Sequence, residues 1–558
     1  MTVVTPCTAR ACTARACTAR ANRDTSAKFQ DFQCGCFASR QMQRLQSTKR
    51  RRDARNSSSI RASAASHAEV KETGGHVTKK PSLEQPTQAV GKESFAWLKN
   101  WYPVANVADL TTAEPSAHTL LNIKLVVWQD SSGNWAAAED RCPHRLAPLS
   151  EGRIQDGNLA CNYHGWQFDR QGACLLNPQS GQSGSDPACR SKGAKARAFP
   201  TQVGQGMLWV WPESGPHAWL DSAMQSPAVI PELEDPNWPG SKGDVFATTM
   251  MCNWDIAMEN TMDPSHANWL HDGFAGKWED AAVMTMRLAE NPTDPKQGFL
   301  VTHDGYSKKQ QAAGLKVLRK FTPPCTTRHE YQYKDGSEML AALYFVPSSP
   351  GRTRVFGKFL FRNPGKRNTL LSLAEGVFSR IPDGFKHNLF SGRMTDQDAL
   401  MLHGQDYAVR QDAKRWRSYF IPSSADMGVV TFRRWLDGKA GGDVGWAGGA
   451  SSSDLPPQLT TEQLRSSWER HTKDCSACKQ AIATINRVKT GLTVAAGGLL
   501  LVALFTTAQY RSAISDTTLI ELGCGAALLV AREALAKWQL GYYVSTGPVY
   551  NFRKKPAQ

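Results

Sequence analysis

The chain has 558 residues, enough for two to four domains with substantial hydrophobic cores. Its formal net charge is +16, but residues 1–66 alone carry +10, from 13 Lys and Arg against three Asp. The rest of the chain shares only +6, which excludes the strongly basic surface of a nucleic-acid-binding domain, so we expect no nucleic-acid partner.

The N-terminal segment 1–66 is rich in Arg, Ser, Thr and Ala, and a CTARA unit is repeated three times between Cys7 and Ala21. This acid-poor composition is typical of an organelle transit peptide, and Ile60–Ser63 resembles a plastid processing site. A disordered basic arm that binds nucleic acid is the alternative interpretation. We predict a disordered plastid transit peptide over 1–66, followed by a polar linker over 67–93.

Residues 94–215 contain short apolar runs between Gly, Pro, Asn and Asp turns, which predicts a small all-β domain. Residues 216–436 mix strand and helix patterns, so the fold class is α+β. The strands predicted across both regions are Leu121–Gln129, Met207–Trp211, Val245–Cys252, Phe299–Thr302, Met339–Val346 and Arg354–Phe361. The predicted helices are Asn253–Leu270 and Asp396–Asp412.

The C-terminal part begins with a Gly/Ser-rich linker over 437–460 and a polar helical segment over 461–486. Two membrane helices are predicted over 487–545, followed by a tail over 546–558. Gly491–Ala508 has no charged residue and is long enough to span a membrane, and Thr517–Val530 fits the return arm of a hairpin. Two buried helices packed on a soluble domain are the alternative. Four glycines are expected to let the helices pack closely: Gly497, Gly498, Gly523 and Gly525.

Two short Cys/His pairs lie in the predicted all-β domain. Cys142 and His144 are two residues apart, and Cys161 and His164, three apart, follow after sixteen intervening residues. Each pair fits a tight loop, and a two-iron cluster can be held by two thiolates on one iron and two imidazoles on the other. Zinc is the competing metal. The spacing, with Pro143 in the first loop and Gly-Trp after the second, resembles the Rieske fingerprint and predicts a [2Fe–2S] cluster.

A second set of candidate metal ligands begins about a hundred residues further on. His266 and His271 belong to the pattern Glu-x3-Asp-x2-His-x4-His, which starts at Glu259. Two imidazoles and one carboxylate on one face of iron leave positions open for O₂ and substrate. An isolated pair of histidines is usually an ordinary surface or core feature, but the preceding Rieske motif favours a mononuclear iron site here.

Cys475 and Cys478 form a Cys-x-x-Cys motif shortly before the first apolar helix. Such a motif can be a redox dithiol, half of a zinc site or two unreactive thiols. No second cysteine pair is left to complete a zinc site, which favours a redox dithiol. The cysteines that follow residue 66 are odd in number and sparse, so we predict no disulfide framework.

The order of these features is similar to that in the pheophorbide a oxygenase group of plastid Rieske non-haem iron oxygenases. The resemblance covers roughly residues 94–545. It implies an N-terminal all-β Rieske domain, a helix-grip-like domain of antiparallel sheet and helices around mononuclear Fe(II), and a C-terminal hydrophobic helical hairpin. It also implies a chloroplast location with anchoring in the inner envelope or the thylakoid membrane.

By the same resemblance, the third iron ligand is Asp398, with Asp396 as the second choice, and His403 is an ordinary helix residue. Asp263 is expected to bridge a Rieske histidine of one subunit to an iron-ligating histidine of its neighbour in a homotrimer. A carboxylate there would fix both imidazoles. A simple cap on the following turn is the alternative role of Asp263.

The resemblance further implies reduced ferredoxin as electron donor, O₂ as co-substrate and a chlorophyll-derived tetrapyrrole as substrate, with ring opening of pheophorbide a as the expected reaction. Oxidation of a phyllobilin, protochlorophyllide a or chlorophyllide a is an alternative. A non-catalytic Rieske subunit that senses redox state in an envelope translocon is another, although a pure electron carrier needs no second iron. Thioredoxin is a candidate partner of Cys475 and Cys478 in either case.

Overall fold

The computed structural model describes residues 94–180, 182–183, 186–241, 245–362, 380–510 and 515–545. All of them belong to one compact unit, Val90–Gln558. The predicted transit peptide (1–66), linker (67–93) and tail (546–558) lie outside the described residues.

The first region is built from short antiparallel strands. Their bounds are Tyr102–Asn106 (β1), Ser116–Leu120 (β2), Ile123–Gln129 (β3), Trp135–Glu139 (β4), Arg153–Gln155 (β5), Asn158–Ala160 (β6), Gln167–Phe168 (β7), Cys174–Asn177 (β8), Gln182–Ser183 (β9), Ala198–Phe199 (β10), Thr201–Gly204 (β11) and Met207–Val210 (β12). Within the described residues they form sheets in the orders β1-β12-β11, β10-β4-β3-β2 and β5-β6-β7-β8-β9. This agrees with the all-β region expected from the sequence.

The predicted strand Leu121–Gln129 is wrong at its start. Leu121 and Asn122 both have positive φ, 49° and 66°, and form the turn between β2 and β3. Positive φ at both central positions is the requirement of the type I′ two-residue hairpin turn, and Asn tolerates it well. The strand therefore begins at Ile123.

A larger antiparallel sheet follows. Its strands are Phe246–Met250 (β13), Arg287–Glu290 (β14), Phe299–His303 (β15), Lys316–Thr322 (β16), Thr326–Gln332 (β17), Glu338–Ser349 (β18) and Arg352–Arg362 (β19). Among the described residues their order is β13-β19-β18-β17-β16-β15-β14, a meander with β13 added beside β19. Burial alternates along β16, so one face of this sheet packs on the core.

Helices cover the buried face of the large sheet and continue to the C-terminus. The longer ones are Pro216–Ala223 (α1), Trp254–Met262 (α2), Gly392–Gln411 (α3), Met427–Lys439 (α4), Ser476–Tyr510 (α5) and Asp516–Gln539 (α6). Shorter ones are Pro187–Arg190, Lys308–Ala312, Asp383–Lys386, Thr461–Leu464 and Ser467–Arg470, and a π-turn, His387–Ser391, runs directly into α3. Trp254 of α2, Phe321 of β16 and Phe432 of α4 contact one another in the core.

The predicted helix Asn253–Leu270 is wrong in its second half. Regular helix ends at Met262, and Asp263 is extended, with φ −100° and ψ 102°. The residue before a proline is driven out of the helical region, and Pro264 follows Asp263. A short 3₁₀ turn, Ser265–Asn268, then carries the first of the two predicted iron-binding histidines.

The segment 437–460 is not the loose linker expected from its Gly and Ser content. Its first residues complete α4, and Ser452 is fully buried. The Ser452 carbonyl accepts a hydrogen bond from the Asn253 side chain, and its hydroxyl accepts one from the Trp446 indole N–H. Glycine supplies the turns here, while the buried polar groups find partners within the fold.

Both predicted apolar segments lie within long helices, α5 and α6, that pack against each other. Only one of the four glycines sits at this contact: a Cβ on Gly525 would lie 3.6 Å from the Ala496 carbonyl oxygen. The corresponding positions on Gly497, Gly498 and Gly523 meet nothing within 4 Å among the described residues, so their predicted role in packing is wrong.

Within the described residues, Ser476–Gln509 is the one helix that is long and apolar enough to cross a membrane. Its most apolar stretch has a mean hydropathy of 1.9, and only 11% of that stretch is buried. The alternative in which this helix is a buried core helix is therefore not supported.

Candidate functional site

The four predicted cluster ligands lie on two loops with the same hydrogen-bond pattern. In the first loop the Leu146 N–H donates to the Cys142 carbonyl (2.8 Å), and in the second the Gly165 N–H donates to the Cys161 carbonyl (2.8 Å). Each cysteine N–H in turn donates to the carbonyl five residues later. Leu146 (φ 61°) and Gly165 (φ 76°) are both left-handed, which lets each loop turn back on itself.

The cysteines of these loops are buried and the histidines lie at the surface. Cys142 and Cys161 are each 2% exposed, whereas His144 is exposed and its ring centroid lies 4.6 Å from that of His164. Trp166 stacks on His144 with 4.9 Å between ring centroids. Buried thiols on one side and more exposed imidazoles on the other fit a Rieske cluster, in which two cysteines bind one iron and two histidines bind the second.

A disulfide joins Cys174 of β8 to Cys189 of the short helix Pro187–Arg190, in the same hydrophobic cluster as the two loops. It is a single bond within the described residues and not a framework. The sequence did not predict it, because the fifteen-residue separation carries no signal of its own.

The structure brings His266, His271 and Asp398 together, with one ligand atom of each within 4.8 Å of the others. Asp398 Oδ1 lies 3.5 Å from His271 Nε2 and 3.9 Å from His266 Nε2. The histidines come from the chain after α2, and Asp398 comes from α3. Two imidazoles and one carboxylate form the donor set of a 2-His-1-carboxylate iron site, so these residues fit iron.

The other two residues of α3 considered as ligands, Asp396 and His403, do not face the candidate iron site. Asp396 forms a buried ion pair with Arg470. Residues two apart on a helix point about 200° apart, so Asp396 and Asp398 cannot face the same side. His403 is bonded through both ring nitrogens to backbone groups, as expected for an ordinary core histidine.

Two residues around the candidate iron site were not predicted. Gln397 Oε1 accepts a hydrogen bond from His271 Nδ1 (2.8 Å), which leaves Nε2 of that ring facing Asp398. Asn260 Nδ2 donates to Asp398 Oδ1 (3.2 Å) and lies 3.4 Å from His266 Nε2. Such outer contacts orient metal ligands. Neither residue belongs to a motif, and only proximity in the fold reveals them.

Asp263 caps the turn that follows it, which is the alternative role considered for it, and it also lies beside His266. Its Oδ1 accepts hydrogen bonds from the N–H and hydroxyl of Ser265, which is a turn cap. Its Oδ2 lies 3.6 Å from His266 Nδ1. Burial acts to raise the pKa of the Asp263 carboxyl, but the nearby His266 ring and the hydrogen bonds from Ser265 outweigh burial and lower it below the ordinary value. The Asp263 side chain is 28% exposed, so a residue of another chain can reach its carboxylate.

The two histidines respond differently to this environment. Burial lowers the pKa of His271, which favours the neutral imidazole that binds metal ions. Burial also acts to lower the pKa of His266, but the neighbouring Asp263 carboxylate and the charge of Asp398 raise it overall. The carboxylates around His266 therefore create a site that stabilises positive charge.

A buried ion-pair network holds the helices that carry these residues. Asp255 of α2 pairs with Arg410 of α3 and with Arg433 of α4, and Glu259 of α2 also pairs with Arg433. Burial acts to raise the pKa of Asp255, but the two guanidinium groups lower it to about 2. The network fixes α2 against α3, and so sets the separation between the two histidines and Asp398.

The Cys-x-x-Cys motif lies elsewhere, at the start of α5. Cys475 and Cys478 are buried free thiols. Two histidines from separate segments, His387 and His471, point at them. Hydrogen bonding from Cys478, followed by that from the two imidazoles, lowers the pKa of the Cys475 thiol.

Comparison with known proteins places these features in a family. Residues 100–199 match the Rieske [2Fe-2S] domain, and residues 321–416 match the pheophorbide a oxygenase domain. The second match includes all of α3, and so includes Asp398. Among solved structures, dicamba monooxygenase with dicamba bound is 20% identical, covering 62% of this chain and 97% of that one with a TM-score of 0.46.

Curated relatives match most of the chain. Chloroplastic pheophorbide a oxygenase of Oryza sativa subsp. japonica is 32% identical over 75% of this chain and 80% of its own length. Chloroplastic flavonoid 8-hydroxylase 2 of Ocimum basilicum is 33% identical, covering 72% and 76%. Protochlorophyllide-dependent translocon component 52 of Arabidopsis thaliana is 32% identical, covering 73% and 77%. With an iron–sulfur domain and an iron-oxygenase domain in one chain, this protein belongs to the pheophorbide a oxygenase family of Rieske-type oxygenases.

Proposed function

We propose that this oxygenase uses O₂ to oxidise a chlorophyll-derived tetrapyrrole, and that its reaction is ring opening of pheophorbide a. The observation that carries the proposal is the convergence of His266, His271 and Asp398 in a chain whose α3 falls within the pheophorbide a oxygenase match. The similarity to the rice and Arabidopsis pheophorbide a oxygenases supports the choice of substrate.

The proposal assigns one [2Fe–2S] cluster per subunit to Cys142, His144, Cys161 and His164, and one mononuclear Fe(II) to the second site. When bound, the cluster would supply electrons singly and the iron would supply a place for O₂ to be reduced. Gln397 holds the His271 ring through its Nδ1–H, and Asn260 orients the Asp398 carboxylate. Asp263 Oδ2 lies 3.6 Å from His266 Nδ1, and His266 Nε2 lies 3.9 Å from Asp398 Oδ1.

Electron delivery is proposed to come from reduced ferredoxin and to cross a subunit boundary in a homotrimer. Exposed His144 and part-exposed Asp263 support this, because both can be reached by a neighbouring chain. In the proposal, a carboxylate oxygen of Asp263 accepts a hydrogen bond from the ring N–H of a Rieske histidine in the neighbouring subunit.

We also propose a chloroplast location with the C-terminal helices in the inner envelope or thylakoid membrane. The named relatives are chloroplastic. Apolar side chains on α5, including Leu501 and Phe505, are more than two-thirds exposed in the monomer, as a lipid-facing surface requires. An anchor of this kind would keep the site near a lipid-soluble substrate.

The proposed domain division is 94–215 for the Rieske domain and 216–436 for the iron domain.

A substrate panel tests the proposal. Purified full-length protein, loaded with iron and given reduced ferredoxin, is exposed to O₂ with pheophorbide a, chlorophyllide a, protochlorophyllide a or a phyllobilin. We expect an oxygenated, ring-opened product from pheophorbide a by mass spectrometry, with ¹⁸O incorporated from ¹⁸O₂. No product from any of these tetrapyrroles would contradict the proposal, provided the same sample contains both iron centres by EPR spectroscopy.

Flavonoid hydroxylation is the second candidate function. The basil flavonoid 8-hydroxylase is as similar to this chain as the rice pheophorbide a oxygenase. A flavone in the same panel distinguishes flavonoid hydroxylation from tetrapyrrole oxidation. A gain of one oxygen on the flavone, with the tetrapyrroles unchanged, would support flavonoid hydroxylation. A redox-sensing translocon subunit without turnover is disfavoured, because an electron carrier has no use for the His266, His271 and Asp398 site.

A further inference from the structure

A cluster of metal-binding side chains lies outside both candidate iron sites. It consists of His387, His471, Cys475 and Cys478, whose ligand atoms all lie within 4.8 Å of one another. His387 and the two cysteines are buried, and His471 is half-buried. Neither the Rieske loops nor the His266, His271 and Asp398 site uses any of them.

The spacing of these atoms is that of a tetrahedral metal site. With Zn–S bonds of about 2.3 Å and Zn–N bonds of about 2.0 Å, neighbouring ligand atoms stand roughly 3.3–3.8 Å apart. His387 Nδ1 lies 3.7 Å from Cys475 Sγ and 3.8 Å from Cys478 Sγ, and His471 Nε2 lies 3.1 Å from Cys478 Sγ. The side chains are therefore arranged around a space of the size that one ion needs.

The surrounding contacts orient these groups toward that space. The Nδ1–H of His471 donates to the Ala247 carbonyl of β13, which leaves the Nε2 lone pair facing the sulfurs. Metal-binding histidines commonly make this kind of outer hydrogen bond. Cys478 lies in the first turn of α5, where unpaired backbone N–H groups and the helix dipole stabilise a thiolate.

We propose that His387, His471, Cys475 and Cys478 bind a single divalent metal ion, with zinc preferred, as a structural site. Two thiolates and two imidazoles in a closed tetrahedron are a donor set typical of structural zinc. On binding, each thiol releases its proton to solvent, and no electron is transferred. The two protein thiolates balance the charge of the ion.

The proposed ion would join the membrane-anchor helix to the helix that carries the third iron ligand. His387 opens the π-turn that runs into α3, whereas the other three ligands lead into α5. The buried Arg470–Asp396 ion pair bridges the same two segments. Together these contacts would set the rotation of α3 about its axis, and so the direction in which Asp398 points.

A reversible Cys475–Cys478 disulfide, exchanged by thioredoxin, is the competing use of this motif. Attack by a protein thiol requires access to a sulfur atom. Cys475 is 5% exposed and Cys478 is 1% exposed. A disulfide also has no need of two imidazoles at this range. The geometry thus favours metal binding over thiol exchange.

The test uses the full chain, purified in detergent from cells supplied with zinc. Elemental analysis should find one zinc per chain, counted separately from iron, and zinc X-ray absorption should show two sulfur and two nitrogen neighbours. Exchange with Co²⁺ should produce sulfur-to-cobalt charge-transfer absorption. Absence of zinc and cobalt from a sample whose cysteines remain reduced would overturn the proposal, as would recovery of a Cys475–Cys478 disulfide in the presence of zinc.

Matched variants separate this site from adventitious binding. Cys478→Ser and His471→Ala should each lose the zinc, whereas Cys524→Ser, at an exposed cysteine, and His217→Ala, at an exposed histidine, should keep it. Equal zinc in Cys478→Ser and the parent would contradict the assignment. The visible spectrum of the Rieske cluster reports whether each variant is folded. Where a variant does not accumulate, the Co²⁺ spectrum of the parent protein decides whether the two cysteines bind metal.

Discussion

At the candidate iron site, a polar side chain lies beside Nδ1 of each histidine. Gln397 engages Nδ1 of His271, and Asp263 lies beside Nδ1 of His266. The nitrogen left free on each ring is Nε2, and both Nε2 atoms face Asp398. The orientation of His271 therefore depends on Gln397, a residue that would not itself bind iron.

Replacing Gln397 tests this dependence. Gln397→Leu removes the acceptor for the His271 Nδ1–H, so we expect iron affinity to fall about 10- to 100-fold. Gln397→Glu keeps an acceptor oxygen and should retain affinity close to the parent. Titration of the metal-free protein with Fe(II) under anaerobic conditions measures both. Equal affinity in the leucine variant would show that the contact does not orient the ring.

Asp263 makes a separate prediction at the same scale. Asp263→Ala should leave the cluster and the iron in place, as measured by EPR spectroscopy and iron content, but should nearly abolish turnover. The reason is that the carboxylate is proposed to connect the two centres and does not hold either of them. Turnover at the parent rate would end this proposal, and loss of iron would indicate a purely local role for Asp263 beside His266.

At the scale of elements, α2, α3 and α4 are joined by the ion pairs around Asp255. Asp255→Asn leaves two buried guanidinium groups without their shared carboxylate, so we expect the free energy of unfolding to fall by roughly 3–5 kcal/mol. Glu469→Gln is the control, because its partner Lys473 is exposed and such surface pairs contribute less than about 1 kcal/mol. Urea denaturation at neutral pH compares them, and similar losses in both variants would contradict the assignment.

The same carboxyl predicts a pH dependence. The pKa of Asp255 is lowered from 3.8 to about 2, so its contribution to stability is complete above pH 4 and is lost as pH falls through 2. The size of this contribution is about 2 kcal/mol. The parent should therefore lose more stability than Asp255→Asn between pH 4 and pH 2. Parallel pH profiles for the two proteins would show that Asp255 is not held in its charged form.

The apolar helix α5 makes a prediction about location. Leu501 and Phe505 are exposed on α5, so the double substitution Leu501→Asp and Phe505→Asp should not disturb the contact with α6. Each charge costs about 3 kcal/mol at the centre of a bilayer. We expect the variant to move from the carbonate-resistant membrane pellet to the soluble fraction. The alanine double variant is the control, and pelleting of the aspartate variant with membranes would contradict the anchor.

Across the whole molecule, the parts that the sequence predicted were those encoded by short spacings. Cys142 and His144 lie on one tight loop and Cys161 and His164 on another, so the chain itself brings each pair together. The family match over 100–199 agrees with the Rieske reading. Four of the seven strands of the large sheet were also predicted, β13, β15, β18 and β19, whereas β14, β16 and β17 were not.

What the sequence could not predict depends on contacts between distant segments. The local sequence does not distinguish Asp396 from Asp398 as the iron ligand. The structure does, because Asp396 forms an ion pair with Arg470, more than seventy residues later in the chain. His387 is as remote from Cys475, so the sequence favoured a redox dithiol at the Cys-x-x-Cys motif, for lack of a second cysteine pair that could complete a zinc site. His471, four residues before Cys475, was the one local signal that histidines could complete the set.

Assembly supplies the last prediction. If electrons cross between subunits, a chain with His164→Ala and a chain with His266→Ala are each inactive alone. Oligomers assembled from both chains together should regain part of the parent activity, because one protomer offers an intact cluster and its partner an intact iron site. Co-expression with two affinity tags isolates the mixed species. No recovery in a mixed species that holds both metals would show that transfer stays within one chain.

Helix α5 begins beside the Cys-x-x-Cys cluster and runs without a break into the apolar segment. Fifteen residues separate Ser476 from Gly491, and an α-helix rises 1.5 Å per residue, so this stretch is about 20 Å long. Its first half is held against the fold by the buried Ala481, Ile482 and Ile485, so the stretch would act as a rigid spacer. With Gly491 at the lipid boundary, the catalytic domain would stand at a fixed height above the membrane, and lengthening the spacer by one turn would raise the entrance for substrate by about 5 Å.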